Sequence, residues 1–290
     1  MKEYALALYE KALPPAEDLP ALCRLAREGG FDRLELSIDE SEPRLARLDW
    51  SERAQRELGL RAREEGAAIR TLCLSGHRKY PLGARDPAVR GRSLEILKKA
   101  VAFAANAGIG IIQLAGYDVY YEPGDEGTRA RFREGLHQGA AWAAEAGVVL
   151  AFETMETPFM DTVEKAMVWV REVNSPWLGL YPDIGNLQNA AAKYGRRVTE
   201  DLALGAGHVF ALHLKETRPG VYRDLRFGSG GHTDYAGCLR TAWGMGVRSF
   251  TGEFWYHGEE DWREEIRRAG GFLREKIEEA ARAEDGALPQ

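Results

Sequence analysis

The chain alternates short apolar runs with longer stretches in which apolar residues recur at helical spacing. The short runs predict strands over residues 4–9, 33–37, 69–74, 109–114, 148–154, 178–182, 209–214 and 249–254. The periodic stretches predict helices over 19–28, 51–65, 88–107, 128–146, 161–173, 199–204, 235–244 and 261–283. Ser51 and Asp161 stand where two of these helices start, as N-caps. Gly29-Gly30, Gly108 and Gly147 each follow a helical stretch and precede a strand, where a left-handed backbone is useful.

Eight strands alternating with eight helices, in units of roughly 35 residues, predict an α/β fold, a single (β/α)8 TIM barrel. The alternative, an open doubly wound sheet, would place a glycine-rich phosphate loop after the first strand. That position reads Glu10-Lys11-Ala12-Leu13-Pro14-Pro15, without glycine. No Ser- or Pro-rich linker divides the chain, so residues 1–283 are expected to form one domain, with 284–290 as a frayed tail.

The formal charge of −6 argues against a nucleic-acid or anionic-membrane partner, which normally needs a basic face. Cysteines at 23, 73 and 238 form no CxxC pair, so a reducing compartment is expected. With no long apolar run, the protein is expected to be soluble and cytoplasmic.

Chemistry in a barrel sits at the C-terminal ends of the strands. Strand five ends on Glu153, strand six runs into Asp183, strand seven carries His213, and strand eight ends at Glu253. Their separations of 30, 30 and 40 residues match successive units, so four adjacent strands aim these groups into one mouth. Three crowded carboxylates and an imidazole call for a neutralising cation. One divalent metal ion answers this, and the mixed oxygen and nitrogen donors suit Zn²⁺, Mn²⁺ or Co²⁺. Taken singly, each acid could instead cap a strand or pair with an arginine.

Two basic loops are candidates for substrate. After strand seven come Lys215 and Arg218, then Arg223, Arg226 and a Gly-Ser-Gly-Gly turn, in the region where barrels often bind phosphate. After strand three comes Ser75-Gly76-His77-Arg78-Lys79, in which His77 is either a substrate contact or a surface histidine. No GxSxG, P-loop or HExxH sequence occurs.

Several long blocks carry a family resemblance: LYEKALP (8–14), LELSIDES (34–41), RLARLDWS (44–51), LCLSGHRKYPLG (72–83), QLAGYDVYYE (113–122), LYPDIGNL (180–187) and HLKETRPGVY (213–222). Over nearly its whole length the sequence resembles the sugar-phosphate isomerases and epimerases of the xylose-isomerase-like barrels. Within them it resembles the L-ribulose/L-xylulose-5-phosphate 3-epimerase group. The resemblance implies a metal site of Glu153, Asp183, His213 and Glu253, with Glu153 and Glu253 as the acid/base pair. Relatives acting on free ketoses often carry a histidine three residues after the aspartate. Here that position is Asn186, which is counted among the substrate-binding candidates and leaves room for a phosphorylated substrate. Superfamily members often associate, so a homodimer is expected.

The implied reaction is 3-epimerisation of a ketopentose 5-phosphate through a cis-enediolate, between L-xylulose 5-phosphate and L-ribulose 5-phosphate. An aldose–ketose isomerase or a free-ketose 3-epimerase would use the same metal site. A metal-dependent abasic-site endonuclease would need more histidines and a basic groove. A non-catalytic sugar-phosphate sensor would not need two opposed metal-bound glutamates.

Overall fold

The computed structural model describes residues 3–15 and 18–285. Among them are eight strands: β1 Ala5–Tyr9, β2 Arg33–Ser37, β3 Ala68–Leu74, β4 Ile111–Ala115, β5 Val149–Glu153, β6 Leu178–Leu180, β7 Leu212–Leu214 and β8 Ser249–Gly252. All neighbours pair in parallel, in the order β6-β5-β4-β3-β2-β1-β8-β7. Parallel bridges Leu180↔Val209 and Asp183↔His213 join the two ends of this sheet. It is thereby closed into an eight-stranded barrel.

The helices in chain order are α1 Leu19–Glu28, α2 Glu42–Leu45, α3 Glu52–Glu64, α4 Pro87–Ala107, α5 Glu126–Ala146, α6 Val163–Val173, α7 Ile184–Tyr194, α8 Val198–Ala203, α9 Tyr235–Gly244 and α10 Trp262–Asp285. The sequence pattern missed α2 and α7. Pro182, Gly185 and the asparagines at 186 and 189 make the start of α7 a poor helix on propensity alone. It forms because Asp183 caps it, its Oδ1 accepting the Asn186 N–H at 2.7 Å.

Ser51 caps α3 as expected, accepting the Ala54 N–H. Asp161 does not cap α6. Thr162 does, and Asp161 instead pairs with Lys165 at 2.6 Å and accepts from Tyr194 Oη. Gly30, Gly108 and Gly147 all adopt positive φ, at 89°, 74° and 68°. The expected tail begins too early, since α10 runs through Asp285; residues 286–290 lie outside the described residues. No described helix is long and apolar enough to cross a membrane. Cys23, Cys73 and Cys238 are all buried and free.

Leu34 and Leu36 pack outward into the apolar layer under the helices. The alternate residues point into the barrel, and several of these are polar: Glu35, Gln113, Tyr181, His213 and Thr251 are all buried there. A clamp fixes the loops at the early end of the mouth. The Arg47 guanidinium grips buried Glu10 with two bonds of 2.8 Å, and Glu10 Oε2 also accepts the Ser37 N–H at 2.7 Å. This bidentate, hydrogen-bonded geometry is what lets a buried ion pair offset its desolvation.

Candidate metal centre and active site

Glu153 is the last residue of β5, Asp183 opens the cap of α7, His213 is the centre of β7, and Glu253 directly follows β8. Each is held by backbone. The Gly116 N–H donates to Glu153 O at 3.1 Å, and a Cβ at Gly116 would sit 2.5 Å from that same oxygen. Only glycine lets the strand β4 exit approach so closely. Asp183 N–H donates to Thr154 Oγ1, His213 N–H to Pro182 O, and Glu253 N–H to Leu214 O.

The side chains converge. One donor atom from each of the four lies within 4.8 Å of all the others, and all four residues are buried. His213 Nδ1 is 3.5 Å from Glu153 Oε1 and 3.5 Å from Glu253 Oε2. Asp183 Oδ2 and Glu253 Oε2 are buried, and both face the Lys215 ammonium, 3.0 Å from each. Three buried carboxylates crowded around that one ammonium and one imidazole leave negative charge that a further cation would balance. Three carboxylate oxygens and one imidazole nitrogen form a donor set that fits a divalent ion.

The charges respond to this crowding. Burial, opposed by Lys215, lifts the Asp183 carboxyl to about 7. Burial and the neighbouring Glu253 raise Glu153. Burial also works against Glu253, but Lys215 and His213 outweigh it and hold that carboxyl well below the ordinary range. Burial disfavours a charge on His213, yet Glu35 and Glu253 prevail and raise it well above its usual value.

The other expected site residues fall in different places. Lys215 is the first residue after β7, as expected, but it is buried, its Nζ 3.0 Å from both Asp183 Oδ2 and Glu253 Oε2. Asn186 lines the cavity. Its Nδ2 donates to Thr154 O at 2.8 Å, while its Oδ1 is buried without a partner. Arg218 does not line the cavity; it is exposed and donates to Ser229 O within its own loop. His77 does not line it either. It is turned into the wall behind β3, 3.3 Å from Ser93 O, and burial lowers its pKa to about 4.

The cavity above the four groups is small, with a volume of about 80 Å³. Its cations are Lys11, Arg78, Lys215 and Arg223, and Tyr9, Tyr222 and Trp255 supply aromatic faces. The sequence reading had named Arg78 and Arg223 only as parts of basic loops, and it missed Glu35. Glu35 Oε1 lies 2.5 Å from His213 Nε2, and its Oε2 accepts from Tyr181 Oη at 2.8 Å. The signal was present in LELS: a glutamate on the inward side of an alternating barrel strand must find a partner there.

A barrel with this mouth belongs to a recognisable class. The sequence profile of the xylose isomerase-like TIM barrel family matches residues 23–276, and the chain belongs to that family. It is 41% identical over 284 residues to the L-ribulose-5-phosphate 3-epimerase UlaE of Salmonella paratyphi A, covering 98% of both chains. Among solved structures it superposes on an L-ribulose 3-epimerase with a TM-score of 0.80 at 16% identity, covering 99% of each chain. A D-psicose 3-epimerase crystallised in the presence of D-fructose gives 0.77 at 14% identity, covering 94% of this chain and 99% of the other. At such identities the structural likenesses carry the fold alone.

Proposed function

We propose that this protein is an isomerase, a metal-dependent ketopentose-5-phosphate 3-epimerase that interconverts L-xylulose 5-phosphate and L-ribulose 5-phosphate. The observation that carries the reading is the end-to-end 41% identity to a curated L-ribulose-5-phosphate 3-epimerase. The convergence of Glu153, Asp183, His213 and Glu253 supports it.

Glu153, Asp183, His213 and Glu253 would hold the metal, taken as Zn²⁺, Mn²⁺ or Co²⁺. When bound, such an ion supplies a Lewis acid that polarises the C2 carbonyl and stabilises the negative charge developing on the substrate oxygens. The C3 hydrogen lies α to that carbonyl, so its removal yields a cis-enediolate. Inversion takes the proton from one face and returns one to the other. Glu153 from β5 and Glu253 after β8 each lie 3.5 Å from His213 Nδ1; assigned one to each face of the substrate, each serves as base in one direction and acid in the other.

Arg78 and Arg223 supply positive charge for the phosphate at the rim. Asn186, with its unpartnered Oδ1, offers an acceptor to a substrate hydroxyl.

The test is incubation of metal-analysed protein with L-xylulose 5-phosphate in D₂O, followed by NMR. L-Ribulose 5-phosphate carrying deuterium at C3 is expected. An aldose product instead would identify an aldose–ketose isomerase. Faster turnover of the free ketose would identify a free-sugar epimerase.

A further inference from the structure

The chemistry above leaves unused a buried carboxylate that touches the histidine of the mouth. Glu35, at the middle of β2, is fully buried inside the barrel beneath the mouth. Its two oxygens are both engaged, Oε1 at 2.5 Å from His213 Nε2 and Oε2 at 2.8 Å from Tyr181 Oη. Tyr181 Oη is in turn 2.6 Å from Thr251 Oγ1 on β8. Three strands therefore converge behind one imidazole.

An ionised carboxylate accepts hydrogen bonds and cannot donate them. Glu35 already accepts from Tyr181 at Oε2, and its contact at Oε1 is a hydrogen bond when His213 Nε2 is the donor. Nδ1 is then the nitrogen turned toward Glu153 and Glu253, 3.5 Å from each. That is the nitrogen a metal held by those glutamates would meet.

We propose that Glu35, oriented by Tyr181, is a positioning residue that fixes His213 as an Nδ1 metal ligand and strengthens its donation to the ion. This rests on the metal-site reading given above. An imidazole without such a partner can flip or change tautomer and so present N–H to the metal. A carboxylate on the far nitrogen removes both freedoms and makes the ligating nitrogen more basic. A merely structural glutamate would be an expensive choice. A buried carboxylate is costly unless paired, and here the pairing runs to His213.

The test uses metal-free wild type, Glu35→Gln and Tyr181→Phe, titrated with Co²⁺ against a competing chelator. Visible absorption reports the ligand field, and near-ultraviolet circular dichroism reports folding. Glu35→Gln should weaken Co²⁺ binding roughly 10- to 100-fold and shift the visible bands, since the charge behind the ligand is lost. Tyr181→Phe should move both readouts in the same direction by less. Folded variants with wild-type affinity and bands overturn the proposal. So does weakened affinity with unchanged bands, which is what a structural role alone would give. If Glu35→Gln does not fold, Tyr181→Phe decides, and wild-type behaviour there overturns it. If the wild-type protein takes up no Co²⁺, the metal reading itself has failed and this proposal falls with it. Uptake by wild type with indifferent variants removes only the role of Glu35.

Discussion

Two histidines of this barrel are equally hidden from water and chemically opposite. His213, in the mouth, faces Glu35, Glu153 and Glu253, and their charges hold its proton well above the usual range. His77, in the wall behind β3, faces one carbonyl, and burial drives its proton off down to about pH 4. Burial alone thus says nothing about role. What matters is the charge that the surrounding elements turn toward the ring. The mouth gathers acids because four consecutive strands end there. The wall is apolar because α4 packs over β3 with Ile96, Leu97 and Ala100.

The comparison predicts its largest effect at the mouth. Chelation should abolish activity, and one equivalent of divalent metal should restore it. A Lewis acid contributes several kcal/mol to such a barrier, so a loss of roughly 10³-fold or more is expected. His213→Ala and Asp183→Asn should reproduce that loss and lower metal content measured by elemental analysis. His77→Asn should keep metal content and stay within a few-fold of wild-type activity. Full activity in rigorously metal-free protein would break the contrast.

The next effect belongs to the wall and is read in stability. His77 has its folded-state pKa lowered from 6.5 to about 4. Between those values the unfolded chain binds the proton and the native state does not. Stability is therefore full above pH 6.5 and is lost as pH falls toward 4. At 1.36 kcal/mol per unit, this one group removes roughly 3 kcal/mol over that window. His77→Asn lacks the titration, so its denaturation midpoint should fall less steeply between pH 7 and 4. Parallel slopes for the two proteins would show that His77 is already hydrated or charged in the native state.

The two histidines also mark what was legible in the chain. Glu153, Asp183, His213 and Glu253 could be read because strand-to-strand spacing in a βα barrel places strand ends in register, whatever the side chains do. His77 could not, since a loop residue's direction depends on the local turn, and here a short 3-10 turn over Ser75–Arg78 rolls the ring inward. The same limit applies to Lys215. It lies two residues beyond His213 on the same strand exit, so it points back into the mouth and sits between carboxylates rather than out in the basic loop. The helix α7 was hidden for a different reason. Its stability comes from the Asp183 cap and from packing, not from propensity, and the capping aspartate had been assigned only to the metal. Glu35 escaped because spacing arguments look at strand ends, and it acts from the strand's middle.

The smallest expected effect carries the comparison into a single loop. Arg218 and Arg223 are five residues apart after β7, and both were expected near phosphate as members of one basic segment. The structure separates them as it separates the histidines. Arg218 spends its guanidinium on Ser229 O, while Arg223 lines the cavity beside Trp255, 5.8 Å from its ring centroid, and lies 3.6 Å from Glu156. A charge-assisted contact to phosphate contributes ~1.5–3 kcal/mol when desolvated. Arg223 is 43% exposed, which places it at the low end. Arg223→Ala should therefore raise KM for the phosphate ester roughly tenfold and leave KM for the free ketose nearly unchanged, with kcat little altered. Arg218→Ala should leave both within about twofold. Kinetics on the two substrates with both variants decide the matter. If Arg218→Ala shows the selective loss and Arg223→Ala does not, the loop rearranges around substrate, and facing in the free protein is not what selects the phosphate contact. If both variants lose equally on ester and free sugar, neither arginine reads the phosphate, and Arg78, which also lines the cavity, becomes the cation to test.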